Sequence, residues 1–356
     1  MLMAIGGILA LIVLACIILK SIVFMPPVKG ENGIAALETV EIGGVKQTML
    51  IRSEDIKNPI LLYLHSGPGT TEMSAFRSYH AELEKYFTVV VWEQRGTGKS
   101  YSNLLSPDMM TIDQMVSDAG EVIKYLQNRF DKQKLFIAGH SWGSLLGILT
   151  VQKYPQDIYA YVGSGQEVQP AAGEKISYEY TLSRAEELGN TQAVKELKQL
   201  TVSFEYLTIT DNPNWYEDLC TERKWLVKFG GEVYNRDNIN NIYVVPGILP
   251  SEYTLVDFIH FAQGSQFSLK ALWPQVMQIN LMESANSLSV PIYFVQGRYD
   301  YNTPSSLVSE YYDKLDAPYK ELIWMENSGH HAMYEEAQLY DSILIEKLLP
   351  LVCDPE

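Results

Sequence analysis

The sequence predicts an α/β fold in which a mostly parallel sheet carries helices on both faces. Short apolar runs at residues 60–64, 88–92, 135–138 and 158–163 alternate with helical patterns, which is typical of parallel strands joined by helices. The alternation stops between residues 165 and 289 and returns with strand-like runs at 292–296 and 322–325. We therefore predict a single sheet whose sequence is divided by an inserted helical lid.

The predicted organisation has four parts. Residues 1–25 form a transmembrane anchor, 38–165 the first part of the core, 166–289 the helical lid, and 290–350 the second part of the core. Gly43-Gly44 between two apolar runs predicts a hairpin, so the sheet should begin with antiparallel strands. Thr111 and Gln114 predict a capping box at the start of a helix, and a final helix is expected from 332 to 349.

The N-terminal segment predicts a single membrane-spanning helix. Residues 1–19 carry no charged side chain, and roughly 20 apolar residues span a bilayer. A cleaved signal peptide and a lipoprotein signal ending at Cys16 are the alternatives, but the basic first segment and the polar tether are missing. Lys20 and Lys29 follow the span, which favours a membrane protein whose main domain faces the cytoplasm.

Composition excludes several classes of function. The formal net charge is −16 and Lys and Arg form no cluster, which argues against a nucleic-acid partner. Cys16, Cys220 and Cys353 are too few and too far apart for a disulfide framework or a CxxC metal site. A phosphate-binding loop would need glycine at position 93, which is Glu93. No cofactor or metal is predicted.

Residues 134–149 predict a serine at a sharp turn between a strand and a helix. Gly139, Ser141 and Gly143 match the pattern G-x-S-x-G between an apolar strand-like run and an apolar helix-like run. Glycine at the two flanking positions avoids collisions with neighbouring backbone. The serine hydroxyl then lies at a helix N-terminus, where backbone N–H groups stabilise a developing oxyanion. Ser141 is the predicted nucleophile.

A serine nucleophile needs a base and a group that orients the base. Among the six histidines, His330 and His331 follow the last predicted strand. His330 comes directly after Gly329 and is preferred as the base, and His331 is expected to pack or to cap the last helix. Asp300 follows the strand at 292–296, at the edge where open α/β sheets bind ligands, and is the predicted acid. The order Ser141, Asp300, His330 is that of an α/β-hydrolase fold.

Five motifs occur in order along the chain: His65-Ser66-Gly67-Pro68-Gly69, Glu93-Gln94-Arg95-Gly96-Thr97-Gly98-Lys99-Ser100, Gly139-His140-Ser141-Trp142-Gly143, Gly297-Arg298-Tyr299-Asp300 and Ser328-Gly329-His330. Together they resemble the proline iminopeptidase group of the α/β-hydrolases, over residues 40–349. The resemblance implies an α/β-hydrolase fold with Ser141, Asp300 and His330 as nucleophile, acid and base. It also implies an oxyanion hole formed by the backbone N–H groups of Trp142 and Gly67.

Two departures from this group concern the substrate. Ser66 stands where the group has glycine and adds a hydroxyl near the predicted pocket. Iminopeptidases hold the substrate ammonium with acidic lid residues, often in a Trp-Glu pair, and this chain has no such pair. Glu167, Glu217, Glu222 and Glu232 are available in the lid region. Ser66 and Glu167 are the predicted substrate contacts.

The sequence thus predicts a membrane-anchored serine hydrolase that acts through an acyl-enzyme. A proline iminopeptidase-like aminopeptidase acting on small peptides is preferred. An esterase, amidase or lactonase on a small apolar substrate is the first alternative. A catalytically silent α/β-hydrolase that senses a ligand is the second, and the three triad residues argue against it.

Overall fold

The computed structural model describes Val23 and residues 25–200, 212–248 and 252–353. Their centre is one eight-stranded sheet in the order β1-β2-β4-β3-β5-β6-β7-β8. The predicted anchor falls on residues 1–25, almost all of which lie outside the described residues. Among the described residues, no helix has the length and the apolar character that crossing a membrane requires.

The strands pair as the sequence predicts, with an antiparallel start and a parallel remainder. They are β1 (Ile34–Ile42), β2 (Val45–Ser53), β3 (Ile60–Leu64), β4 (Thr88–Glu93), β5 (Leu135–His140), β6 (Ile158–Ser164), β7 (Ile292–Gly297) and β8 (Lys320–Met325). β2 runs antiparallel to both β1 and β4, and the other pairs are parallel. Gly43 and Gly44 form the turn of the predicted hairpin, both with positive φ.

The described helices cover both faces of the sheet and fill the interval between β6 and β7. They are α1 (Met73–Tyr79), α2 (Ile112–Phe130), α3 (Trp142–Lys153), α4 (Pro170–Glu187), α5 (Thr191–Gln199), α6 (Trp215–Lys228), α7 (Asn240–Ile248), α8 (Leu255–Val276), α9 (Leu281–Ser284), α10 (Ser305–Lys314), α11 (Ala332–Glu335), α12 (Ala337–Leu348) and α13 (Pro350–Cys353). Of these, α4 to α9 belong to the predicted lid segment.

The sheet is apolar on both faces because helices cover both. In β3, Leu62 and Leu64 join the core beneath α2, α3 and α10, whereas Leu61 and Tyr63 join the core beneath α1 and α12. Alternate side chains of a strand point to opposite faces, so a strand buried on both sides reads as a continuous apolar run. This explains why β3 was predictable from its sequence alone.

Two local predictions are wrong in part. Thr111 Oγ1 accepts the Gln114 N–H at 3.1 Å, but the Gln114 side chain donates to Asp118 Oδ1 at 2.7 Å. Only half of the capping box forms, because the Asp118 carboxylate competes for the amide. The final helix is also interrupted at Glu336 (φ −123°, ψ 51°), whose carboxylate accepts the Ser328 hydroxyl at 2.6 Å.

The lid helix α8 lies against two loops at the carboxyl edge of the sheet. A Cβ at Gly69 would lie 2.9 Å from Ser265 Cα, and a Cβ at Gly264 would lie 2.6 Å from the Gly96 carbonyl oxygen. Ser268 Oγ donates to that same carbonyl at 3.0 Å. The small residues of α8 therefore let it cover the loop of residues 65–69, which borders the candidate site.

Candidate active site

Ser141 occupies a strained turn between β5 and α3. Its φ of 55° and ψ of −122° lie in a region that side-chain-bearing residues rarely adopt, at a cost of about 1–3 kcal/mol. The Ser141 N–H donates to the Ser164 carbonyl at 3.1 Å, and the Ser141 carbonyl accepts the Ser144 N–H at 2.8 Å. These bonds on both sides hold the turn in place.

The flanking glycines are required by close backbone packing. A Cβ at Gly139 would lie 2.4 Å from the Gly143 carbonyl oxygen, and a Cβ at Gly143 would lie 2.0 Å from the Leu64 carbonyl oxygen. Any side chain at either position would push α3 away from the ends of β3 and β5. The G-x-S-x-G pattern therefore has the structural role that the sequence analysis assigned to it.

Asp300 and His330 are in direct contact and buried. His330 Nδ1 lies 3.0 Å from Asp300 Oδ2, and the Thr303 hydroxyl donates to the same oxygen at 2.8 Å. The other carboxylate oxygen accepts the backbone N–H groups of Asn302 and Thr303, each at 2.9 Å. Burial raises the pKa of Asp300, but the charge of His330 and these hydrogen bonds outweigh it, so the pKa lies below its ordinary value.

The loops that carry these two residues meet because glycine stands at both contact points. A Cβ at Gly297 would lie 1.9 Å from the Gly329 carbonyl oxygen, and one at Gly329 would lie 2.6 Å from the Glu232 carbonyl oxygen. The His330 ring packs on Gly165, where a Cβ would lie 2.9 Å from its Nδ1. Gly165 directly follows Ser164, which accepts the Ser141 N–H, so the His330 ring packs beside the residue that holds the Ser141 turn.

A cavity of about 220 Å³ lies in front of Ser141. Trp142 and Gly67 line it, as do apolar lid side chains such as Leu219, Leu269 and Trp273. Trp142 is the first residue of α3, and the first N–H groups of an α-helix have no partner within the helix. Gly67 has φ of 125°, and a Cβ there would lie 2.3 Å from the Gly69 nitrogen.

Ser66 has a different partner from the one that the sequence predicted. Its hydroxyl donates to Glu72 Oε1 at 2.6 Å, and the described residues that line the cavity do not include it. Glu72 is 1% exposed and also accepts hydrogen bonds from Tyr63 and, at 3.0 Å, from Tyr243. The Ser66 side chain therefore links the loop of residues 65–69 to the buried Glu72 carboxylate.

Glu72 connects the loop of residues 65–69 to the sharp turn that carries Ser141. Burial raises its pKa, but His140, whose Nδ1 lies 3.6 Å from Glu72 Oε1, and the hydrogen bonds from Ser66 and Tyr63 outweigh burial, so the pKa is lowered. On its other side, His140 Nε2 lies 3.1 Å from the His330 carbonyl oxygen. No sequence motif pointed to Glu72; an acidic residue directly before an apolar helix was the available signal.

Glu167 lines the cavity and is 8% exposed. Its backbone N–H donates to Ser144 Oγ at 2.9 Å, which ties it to the first turn of α3. Burial raises the pKa of its carboxyl to about 8, with the nearby charge of Glu174 adding to the increase and that of Arg223 opposing it. This is the predicted lid acid that the structure brings to Ser141.

The other lid acids have different surroundings. Glu222 and Glu174 bind the two terminal nitrogens of Arg223, which also lines the cavity. Glu217 is exposed in the first turn of α6. Arg223 and Glu174 were missed by sequence reasoning because their contact joins α4 to α6, and only the packing of the lid brings these helices together.

Glu232 contacts the second histidine of the pair. His331 Nε2 lies 2.9 Å from Glu232 Oε1, its Nδ1 lies 3.2 Å from the Tyr243 hydroxyl, and its carbonyl accepts the Tyr334 N–H at 2.8 Å. His331 was expected to pack or to cap the last helix; its side chain packs against Glu232 and Tyr243, and it precedes the short helix α11 without a side-chain capping hydrogen bond. Its ring joins two lid residues to the loop that carries His330.

The known proteins that this chain is similar to are named as aminopeptidases and proline iminopeptidases. The family described as serine aminopeptidase, S33 matches residues 73–208. A probable aminopeptidase, YbaC, of Bacillus subtilis is 33% identical over 321 residues, covering 88% of this chain and 96% of that protein. A proline iminopeptidase of Elizabethkingia meningoseptica is 23% identical, covering 79% of this chain and 86% of that protein.

Solved structures share the fold at low sequence identity. Proline iminopeptidase from Mycobacterium smegmatis superposes with a TM-score of 0.60 at 14% identity, covering 90% of this chain and 100% of the other. An alpha/beta fold family hydrolase from Bacillus anthracis gives a TM-score of 0.57 at 13% identity, covering 88% and 99%. At such identities the likeness concerns the fold alone, with the eight-stranded, mostly parallel sheet described above.

Proposed function

Because the chain belongs to the serine aminopeptidase family S33 of the α/β-hydrolases, we propose that it removes the N-terminal residue of short peptides through an acyl-enzyme. Ser141 Oγ attacks the first peptide carbonyl while His330 Nε2 takes its proton. Asp300 holds His330 Nδ1, and the 3.0 Å contact between them supports this role because it leaves Nε2 for the serine.

The same groups complete the reaction. The backbone N–H groups of Trp142 and Gly67 stabilise the oxyanion of the tetrahedral intermediate. His330 then gives its proton to the leaving nitrogen, the C–N bond breaks, and the acyl group stays on Ser141. Water adds to this ester with His330 as base, and the proton returns to Ser141 Oγ as the amino acid leaves.

The observation that carries the aminopeptidase proposal is Glu167 in the cavity beside Ser141. A buried carboxylate is costly without a cation, and this cost is what raises its pKa to about 8. The α-ammonium group of a peptide supplies the missing cation. The two carboxylates of Glu174 and Glu222 share the single positive charge of Arg223, so the surroundings also favour a positively charged substrate group.

The apolar cavity lining favours a second candidate, an esterase, amidase or lactonase acting on a small apolar substrate. Leu219, Leu269 and Trp273 would serve such a substrate equally well. Glu167 discriminates between the candidates, because a neutral substrate gains nothing from a buried acid. The two functions therefore differ in their response to the same substitution.

We expect Glu167→Gln to lower kcat/KM for an aminoacyl arylamide, relative to that for a short-chain ester without an amine, by about tenfold to a hundredfold. A change of this magnitude corresponds to the free energy of one lost charge-assisted hydrogen bond. Glu217→Gln, in an exposed lid acid, is the matched control and should leave the ratio within about twofold. An unchanged ratio in Glu167→Gln would favour the ester-hydrolase candidate.

The same contact predicts a pH dependence. Glu167 must lose its proton to bind an ammonium group, so kcat/KM should rise as the pH approaches the carboxyl pKa of about 8. Above about pH 8 the substrate amine itself loses its proton and kcat/KM should fall. A bell-shaped profile near pH 8 for the arylamide, lost in Glu167→Gln, is the expected result.

We also propose that residues 1–25 anchor the protein in a membrane and that its main domain faces the cytoplasm. Met25 packs against the core beneath α1 and α12, and Arg52 Nη1 donates to the Pro26 carbonyl at 2.9 Å. A deletion should therefore stop at residue 22. We expect it to move the protein from the membrane fraction to the soluble fraction with kcat/KM within about twofold. A full-length protein already in the soluble fraction would contradict the anchor.

A further inference from the structure

A groove of about 700 Å³ lies beside the catalytic cavity. Arg223 and Asn302 line both spaces, so the groove and the cavity are neighbours. The groove runs between α6 and the start of α7, and its volume falls within the range of about 300–1,000 Å³ that suits a ligand of drug size.

The groove lies next to the loops that carry Asp300 and the proposed base, His330. Glu232 lines it, and the Glu232 carbonyl accepts the His330 N–H at 2.7 Å. Asn302 lines it as well, and its N–H donates to Asp300 Oδ1 at 2.9 Å. Glu167 lines the cavity, whereas the described residues of the groove do not include it.

This arrangement determines which part of a substrate reaches the groove. The base that takes the proton of the serine delivers it to the leaving nitrogen, so the leaving group must depart on the side of His330. The amine of the first residue must instead reach Glu167 in the cavity. A substrate bound at both points directs its leaving group toward the groove.

We propose that this groove binds the peptide residues that follow the cleaved bond. The proposal rests on the aminopeptidase function above and adds where the remaining residues of the peptide bind. When the C–N bond breaks, the acyl carbon stays on Ser141 Oγ. The leaving nitrogen takes the proton from His330 and becomes the new N-terminus of the shortened peptide in the groove.

The chemistry of the groove suits a peptide. Asn238, Asn240 and Asn302 present amide groups, which can both donate to peptide carbonyls and accept from peptide N–H groups. Lys224 and Lys228 lie at the exposed wall, where they pair with Glu196 and Asp237, so a C-terminal carboxylate would have to compete with these two partners. Trp225, Val227 and Ile239 also line the groove, and most of its exposed surface is apolar, so it can accept apolar side chains of the peptide as well as its backbone.

The first test is the dependence on peptide length in the wild-type protein. Substrates share one N-terminal residue, followed by an arylamide or by one, two or three glycines. We expect kcat/KM to rise by about tenfold from the dipeptide to the tetrapeptide as the groove is filled. Arylamide turnover with no dependence on length would overturn the groove proposal alone. The absence of turnover on every amine substrate would overturn the proposed function.

The second test narrows the groove. Asn240→Trp places an indole at the groove wall, and Asn241→Trp is its matched control, since Asn241 is the next exposed residue of α7 and is not among the described lining residues. The ratio of kcat/KM for the tetrapeptide to that for the arylamide should fall by about tenfold in Asn240→Trp and stay within twofold in Asn241→Trp. Equal ratios in both variants would overturn the proposal. If Asn240→Trp does not fold, the length series decides alone.

Discussion

Ser141→Ala is expected to lower kcat/KM for the best amine substrate by on the order of 10⁴ or more. Without Oγ no acyl-enzyme forms, and the remaining groups can only assist direct attack by water. Steady-state assays on protein purified separately from any wild-type enzyme provide the measurement. Substantial turnover by Ser141→Ala would contradict its role as nucleophile.

Loss of fold must be separated from loss of chemistry. Ser141 has a φ of 55°, which glycine adopts without strain, so Ser141→Gly should also be inactive while its Tm is at least that of the wild type. An inactive protein with an unchanged or raised Tm assigns the loss to the hydroxyl. A lowered Tm in both variants would instead point to a structural role for the side chain.

His330→Ala is expected to lower kcat/KM by a similar factor, on the order of 10⁴, because neither the serine nor the leaving nitrogen then has a proton carrier. The adjacent histidine has a separate role, since His331 bridges Glu232 and Tyr243. His331→Gln keeps a hydrogen-bond donor near Glu232 and should retain kcat/KM within about tenfold.

Measuring Tm together with kcat/KM distinguishes the two histidines further. His331→Ala leaves the Glu232 carboxylate, 8% exposed, without its histidine, which costs about 1–3 kcal/mol of stability and should lower the Tm. His330→Ala should be inactive at a temperature well below its Tm. A working His330→Ala beside an inactive, folded His331→Gln would reverse the assignment.

The predictable part of the molecule is the part with local signals. β3 could be predicted because helices cover both of its faces. The turn at Ser141 could be predicted because only glycine fits at positions 139 and 143, where a Cβ would lie 2.4 Å and 2.0 Å from a backbone oxygen. Asp300 and His330 follow two neighbouring parallel strands, β7 and β8, whose carboxyl ends share one edge of the sheet. Topology therefore brings them together without any long-range information.

The contacts that sequence reasoning missed depend on packing between distant segments. Glu72 receives the Ser66 hydroxyl within one loop, yet its other partners include Tyr243 in the lid. Arg223 is bound by Glu174 across two lid helices, and helical periodicity alone does not tell which helices meet. The same absence of a local signal explains why the sequence offered four lid acids, of which Glu167 reaches the cavity.

Labelling with a fluorophosphonate probe, followed by peptide mapping, shows whether Ser141 Oγ carries the covalent intermediate. We expect one adduct per chain, on Ser141, which forms in step with the loss of hydrolysis and is absent from Ser141→Ala. An adduct on another residue with Ser141 unmodified, or no adduct on protein that is turning over substrate, would contradict this role of Ser141.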